Sequence, residues 1–179
     1  MLRHELPSGA HLRLFEESDA DELFALTDSN RAHLAEWLPW VPAIRSAQDS
    51  LEFIRMTRRL VADNNGLQLA IVRDGAIAGV AGYHHVDWGN RATSIGYWLA
   101  ADAQGHGTMT EAVRALVDHA FGGWGLERVE IAAAVGNARS RAIPDRLGFV
   151  QEGVRRRAEL VGDRWLDLAL YAMLAPDWR

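Results

Sequence analysis

Between residues 92 and 135 the chain passes through an apolar run, "ATSIGYWLA" (92–100), a loop with Gly105 and Gly107 one residue apart, the run "TMTEAVRALVDHAF" (108–121), and a second apolar run, "RVEIAAAV" (128–135). Met109, Val113, Leu116 and Ala120 share one stripe of the middle run, which reads as a helix between two strands. Strand, helix and strand of this length close as a right-handed parallel crossover. The two glycines therefore lie where a strand hands over to a helix.

The flanking segments supply the rest of a sheet. "HLRLFEES" (11–18) sets Leu12 and Leu14 against polar neighbours and reads as a first strand. Ser18 is the predicted N-cap of a helix with Asp19 and Asp21 in its first turn and Leu23, Phe24 and Leu26 on its apolar side. A second helix is predicted from Ser46, with Leu51, Ile54, Leu60 and Val61 inward and Arg55, Arg58 and Arg59 toward water. Between these helices "LAEWLPWVP" (34–42) is broken by Pro39 and Pro42 and reads as a loop carrying Trp37 and Trp40. "LQLAIVR" (67–73), "AIAGVAGYHHVDW" (76–88) and 92–100 follow one another through Asp74-Gly75 and Gly89-Asn90, pairs that tolerate the positive φ of a two-residue turn, so they predict an antiparallel meander. After the crossover, Asn137 opens a short helix to Arg146 that ends at Gly148. "FVQEGVRRRAEL" and "RWLDLALYAML" then close a hairpin about Gly162-Asp163, with Arg155, Arg156 and Arg157 alternating faces.

The expected fold is α/β: one domain over residues 1–179, with a mixed, mostly antiparallel sheet of about seven strands and helices on both faces. No apolar run approaches the roughly 18 residues of a membrane span, and the N-terminus lacks the basic and apolar pattern of a secretory signal. A cytoplasmic location without a membrane partner is expected. The absence of cysteine removes disulfides, thiolate metal ligands and cysteine nucleophiles, and no metal site is expected. A formal charge of −5 argues against nucleic acid as partner and accords better with a cationic one.

A glycine-lined turn at a helix N-terminus can cradle phosphate, because the first main-chain N–H groups of the helix have no partner there. Two familiar versions fail on this sequence. A P-loop needs Lys where Thr108 stands, and a dinucleotide fingerprint needs a third glycine where Thr110 stands. What remains, "QGHGTM" after "IGYWL", resembles the acetyl-CoA loop of the Gcn5-related N-acetyltransferases, Gln/Arg-x-x-Gly-x-Gly/Ala, with Met109 in place of the final small residue. The "WLPW" loop, "NRATSIGYWL", "QGHGTMTEAV" and "VGNARSRAIPDRLGF" occur in the order seen in the branch that acetylates N-terminal amines of ribosomal proteins. The resemblance spans nearly the whole chain.

The resemblance implies a central parallel pair that splays apart after the 94–100 strand. Pantetheine amides would meet the main chain at Trp98, Leu99 and Ala100, and the pyrophosphate would sit on the amides of Gln104, Gly105, His106, Gly107, Thr108 and Met109. Asn137 is implied on the coenzyme A arm, and Arg139, Arg141 and Arg146 are candidate cations for its phosphates, the alternative for each being a solvated helix face. A tyrosine common in relatives is Pro144 here, so Ser140 is implied as the group that protonates the departing thiolate; its alternative is a helix-start serine bonding to local backbone. No acidic base declares itself, and His84 or His85, on opposite faces of one strand, could relay a proton through water. An α-amine of pKa near 8 is neutral in a fair minority of molecules at neutral pH, unlike a lysine, which favours an N-terminal amine as acceptor. Trp37 and Trp40 would roof the acceptor groove, or else cap the core. The His106 side chain is expected in solvent.

Three functions remain on sequence grounds: an acetyl-CoA-dependent acetyltransferase of a protein N-terminus, ribosomal by the resemblance; the same chemistry on a small amine such as an antibiotic or polyamine; or a non-catalytic acyl-CoA-binding module. The resemblance also implies a homodimer.

Overall fold

A computed structural model describes residues 3–179. Eight strands form one sheet: β1 (Arg3–Glu5), β2 (His11–Leu14), β3 (Leu67–Arg73), β4 (Ala76–Asp87), β5 (Ala92–Leu99), β6 (Arg128–Ala134), β7 (Val150–Val161) and β8 (Arg164–Leu174), in the order β1-β2-β3-β4-β5-β6-β8-β7. Among the described residues only β5 and β6 run parallel. The helices are α1 (Ala20–Ser29), α2 (Arg31–Ala35), α3 (Ala47–Ala62), α4 (Thr108–Asp118) and α5 (Ala138–Arg146).

Strand alternation divides the core into two layers. On β3, Leu69 and Ile71 point toward α4, where they join Val113 and Leu116, with Ala120 in the π-helical turn that follows; Ala70 and Val72 point the other way, to Leu23 of α1 and Ile54 of α3. Helices thus cover both faces, as the paired periodicities of 2 and 3.6 require. Burying a side chain such as Ile54 or Leu116, each with no exposed surface, contributes about 1.5–3 kcal/mol. Among the described residues no helix is long and apolar enough to cross a membrane.

The expected meander is present, antiparallel from Leu67 through Leu99. Ser46 caps α3 by accepting from the Asp49 N–H, and Asn137 caps α5 by accepting from the Ser140 N–H. The differences are local. The eighth strand, β1, consists of Arg3, His4 and Glu5, all exposed, and so carries no apolar alternation to read. The first long strand stops at Leu14, and Ser18 caps nothing: the entry to α1 is fixed instead by Asp19, whose buried carboxylate accepts from the Glu16 N–H at 2.8 Å and from Arg13 at 2.6 and 2.8 Å. Leu34 and Ala35, expected in a loop, end the short helix α2. Four residues rather than two join β4 to β5, with positive φ on Arg91. Val61, expected inward, is exposed. On β7 the face alternation of the three arginines is broken by a register shift between Arg155 and Glu159, with Arg157 at φ +47°.

Candidate active site

The parallel pairing of β5 with β6 runs from Ala92 opposite Arg128 to Ile95 opposite Ile131 and stops. Beyond it, residues 96–99 keep only their β4 partners and residues 132–134 only their β8 partners. The facing edges of the two central strands therefore hold main-chain groups that the sheet leaves unpaired, and such groups bind whatever enters the gap. A cleft of about 1560 Å³ runs through this opening. Its volume exceeds the roughly 300–1,000 Å³ of a pocket for one small ligand, so it has room for two substrates.

One end of the cleft is the loop from β5 to α4. After a single turn at Ala101–Ala103, Gly105 and Gly107 take φ of +85° and +81°, a region that side chains strain to enter. Gly107 precedes the first residue of α4, and its carbonyl accepts the first helical bond from Glu111. A Cβ on either glycine would touch no protein atom within 4 Å. Backbone conformation thus demands the glycines, and the space before them is open to a ligand. The Thr108 hydroxyl is buried without a protein hydrogen-bond partner. Open glycine backbone, an orphaned hydroxyl and a helix start fit a ligand with phosphate at this end, and the unpaired strand edges fit an amide-bearing arm beside it. His106 is exposed.

At the parting of the strands, adjacent residues of β5 present different chemistry to the two faces. Tyr97 points to the α4 side, where its hydroxyl donates to the Ser140 carbonyl at 3.0 Å and lies 3.4 Å from Ser140 Oγ, which donates to it. Burial holds the Tyr97 phenol above its ordinary pKa, against the opposing effect of the Ser140 bond, so it stays neutral. On the other face the His84 ring occupies the space that a Cβ on Gly96 would need. His84 opens into the cleft, yet the surrounding walls strip enough water from it to lower its pKa below that of free imidazole. His85 does not line the cleft; its carbonyl accepts from Thr93 Oγ1 on the neighbouring strand.

The far end is walled by Trp37, Trp40 and Trp98, with Trp40 and Trp98 rings 6.0 Å apart. Trp40 is 36% exposed and Trp37 half-buried, and neither belongs to the buried core. Glu36 and Glu159 also line the cleft. Burial raises the Glu159 pKa above the usual carboxylate range, weakly opposed by Arg155.

The sequence candidates mostly converge here. Trp98, Leu99, Gln104 to Met109, Asn137 and Ser140 all line the cleft, while Ala100 is buried behind it and donates to the Ala78 carbonyl. Arg141 does not converge. Its guanidinium is held by the Tyr171 hydroxyl at 2.9 Å and the Val135 carbonyl at 3.2 Å, outside the cleft, whereas Arg139 and Arg146 of the same helix line it. A helical spacing of two residues turns a side chain by about 200°, which separates Arg141 from Arg139. Tyr97 and Glu159 were missed. Tyr97 was legible as the residue between Gly96 and Trp98 on an alternating strand, whereas the turn of Glu159 into the cleft depends on an irregularity in β7 that sequence does not announce.

Residues 10–150 match the family model described as an acetyltransferase (GNAT) domain. The chain is 39% identical over 168 residues to the "Putative ribosomal N-acetyltransferase YdaF" of Bacillus subtilis (strain 168), covering 93% of this chain and 92% of that one. Its structure superposes with a TM-score of 0.89 and 28% identity on RimL, a ribosomal L7/L12 α-N-protein acetyltransferase in complex with coenzyme A, over 92% of this chain and 93% of that one. It superposes with a TM-score of 0.87 and 30% identity on the microcin C7 self-immunity acetyltransferase MccE in complex with acetyl-CoA and AMP, over 92% of each.

Proposed function

Because the chain belongs to the GNAT acetyltransferase family and its acyl donor is acetyl-CoA, we propose that the amine it acetylates is the N-terminal α-amine of a protein, ribosomal as in the relatives named above. The observation that carries this reading is the single cleft that joins the glycine loop to an acidic, aromatic acceptor end through the parted strands. Bound acetyl-CoA supplies an acetyl group activated as a thioester. The main-chain N–H groups from Gln104 to Met109 hold its diphosphate, Asn137 faces its arm, and of the three candidate arginines Arg139 and Arg146 are the cations near its phosphates.

At the acceptor end Glu36 and Glu159 favour a cationic ammonium over a neutral or anionic group, and Trp37 and Trp40 cover the residues that follow it. His84, kept neutral by its surroundings, accepts the proton that the ammonium must lose before its nitrogen can attack. Ser140 holds a proton at Oγ on the opposite face of β5, oriented by Tyr97, and offers it to the departing sulfur. The acid and the base thus flank the gap from two sides of one strand. The Asn137 cap uses the Ser140 main-chain N–H and not its hydroxyl, whose 3.4 Å bond to Tyr97 is long enough to be exchanged for one to sulfur.

The test is thiol release from acetyl-CoA with three acceptor sets: peptides with free N-termini, the same peptides N-blocked but carrying lysine, and small amines. Turnover confined to the first set is expected; turnover only with the second or third rejects the reading. One observation favours a second reading, a small amine with a planar end. The Trp40–Trp98 pair offers an aromatic wall, and MccE, similar in fold, was solved with AMP. Thiol release with aminoacyl nucleotides and with no peptide would establish that alternative. A homodimer, implied by the resemblance, is tested by light scattering.

A further inference from the structure

The side chain of Gln104 stands apart from the loop's main-chain role, because it joins three elements. Its Oε1 accepts from the Arg139 guanidinium of α5 at 3.0 Å. Its Nε2 lies 2.7 Å from His33 Nε2 of α2 and 3.5 Å from the Leu99 carbonyl. A guanidinium can only donate, so the amide oxygen must face Arg139 and the amide NH₂ must face His33. His33 Nε2 is then the acceptor in this bond. Three residues upstream a second tie runs the same way: Asn30, at the junction of α1 and α2, accepts from the Ala101 N–H through Oδ1 at 2.9 Å. The helix α2 that these bonds grip leads directly into Trp37 and Trp40.

We infer that Gln104 is a clasp between the glycine loop and the segment roofing the acceptor end, and that His33 is its positioning residue, acting as a hydrogen-bond acceptor. The glycine loop itself has little to hold it. Gly105 and Gly107 are exposed and touch nothing with their α-carbons' missing substituent, so the loop's shape depends on its flanks. On the N-terminal flank two ties, Asn30 to Ala101 and His33 to Gln104, come from the segment that leads into the roof, beside those from Arg139 of α5 and the Ala78 carbonyl of β4. Coenzyme A affinity therefore depends on a residue of the acceptor side that lies outside the cradle. The inference rests on coenzyme A binding at the loop and is independent of which amine is acetylated.

The test compares two variants of similar length and opposite hydrogen-bond character. His33→Gln retains an acceptor oxygen; His33→Lys offers only donors and faces the Gln104 NH₂ with a charge. Binding of coenzyme A without acceptor is measured by calorimetry, with the thermal midpoint of each variant recorded beside it. His33→Gln is expected within about threefold of the parent Kd and His33→Lys about tenfold weaker, with both midpoints near the parent's. In a double-mutant cycle, His33→Ala and Gln104→Ala each weaken binding about fivefold, and the pair together little more than either alone. Equal Kd values for His33→Gln, His33→Lys and the parent overturn the inference, as does full additivity in the cycle.

Discussion

At the donor end the cleft is lined by the loop from Gln104 to Met109, with two glycines in the left-handed region whose missing side chains leave its main chain uncovered. At the acceptor end it is lined by side chains: Glu36, Trp37 and Trp40 from the segment after α2, His84 from β4, and Glu159 from β7. On the function proposed above, the first end recognises what every acyl-coenzyme A shares, a diphosphate and an amide arm, with atoms that every residue type possesses. The second has to distinguish one amine from another, and for that it needs chemistry that main chain lacks. Substitution at the donor end should therefore act through conformation, and substitution at the acceptor end through identity.

Four changes would break or sharpen that contrast. Gly107→Val should have the largest effect. It places a β-branched residue at φ +81°, costing about 1–2 kcal/mol in stability and weakening coenzyme A about 100-fold in calorimetry; retained affinity would show that the amides are not the cradle. Ser140→Ala should lower kcat by about 100-fold with coenzyme A affinity unchanged, since the Asn137 cap uses its main chain. An unaltered kcat removes Ser140 from the chemistry.

His84→Gln should lower kcat about tenfold, a modest general-base effect. Burial lowers the His84 pKa, so the acid limb of the parent kcat profile should fall below the free-imidazole value and should be missing from the variant. The smallest effect is on stability. Glu159 is a carboxyl with a raised folded pKa, so its stabilising contribution is present below the unfolded pKa and lost as pH rises through the folded value. Glu159→Gln should then raise the thermal midpoint by a degree or two at pH 8 and leave it unchanged near pH 3, while weakening a cationic acceptor. An unchanged midpoint at pH 8 would mean that Glu159 is solvated and not held in the cleft wall.

Much of the donor end could be read from residue order because its determinants are local. Gly105 and Gly107 mark positive φ within a few residues of a helix start, and the stripe of Met109, Val113, Leu116 and Ala120 fixes how that helix sits on the sheet. The turns announced by glycine behaved unequally. Asp74-Gly75 has two positive φ values, as a two-residue hairpin requires, while at Gly89-Asn90 the Asp87 carboxylate accepts from Asn90 and shifts the turn to Arg91. Arg139, Arg141 and Arg146 were equal candidates in sequence, because only helix rotation turns Arg141 away from the cleft to Tyr171.

By itself, the sequence determined the alternating strands, the parallel crossover and the glycine bend, since each follows from periodicity or from a φ that only certain residues accept. Tertiary structure alone decided that β5 and β6 part after Ile95, that His84 and Ser140 stand on opposite sides of that gap, and that Glu159 and His33 reach it. Those outcomes depend on contacts between residues tens of positions apart, whose energies are set by packing and by which donors find which acceptors, and neither is written in the pattern of neighbours along a chain.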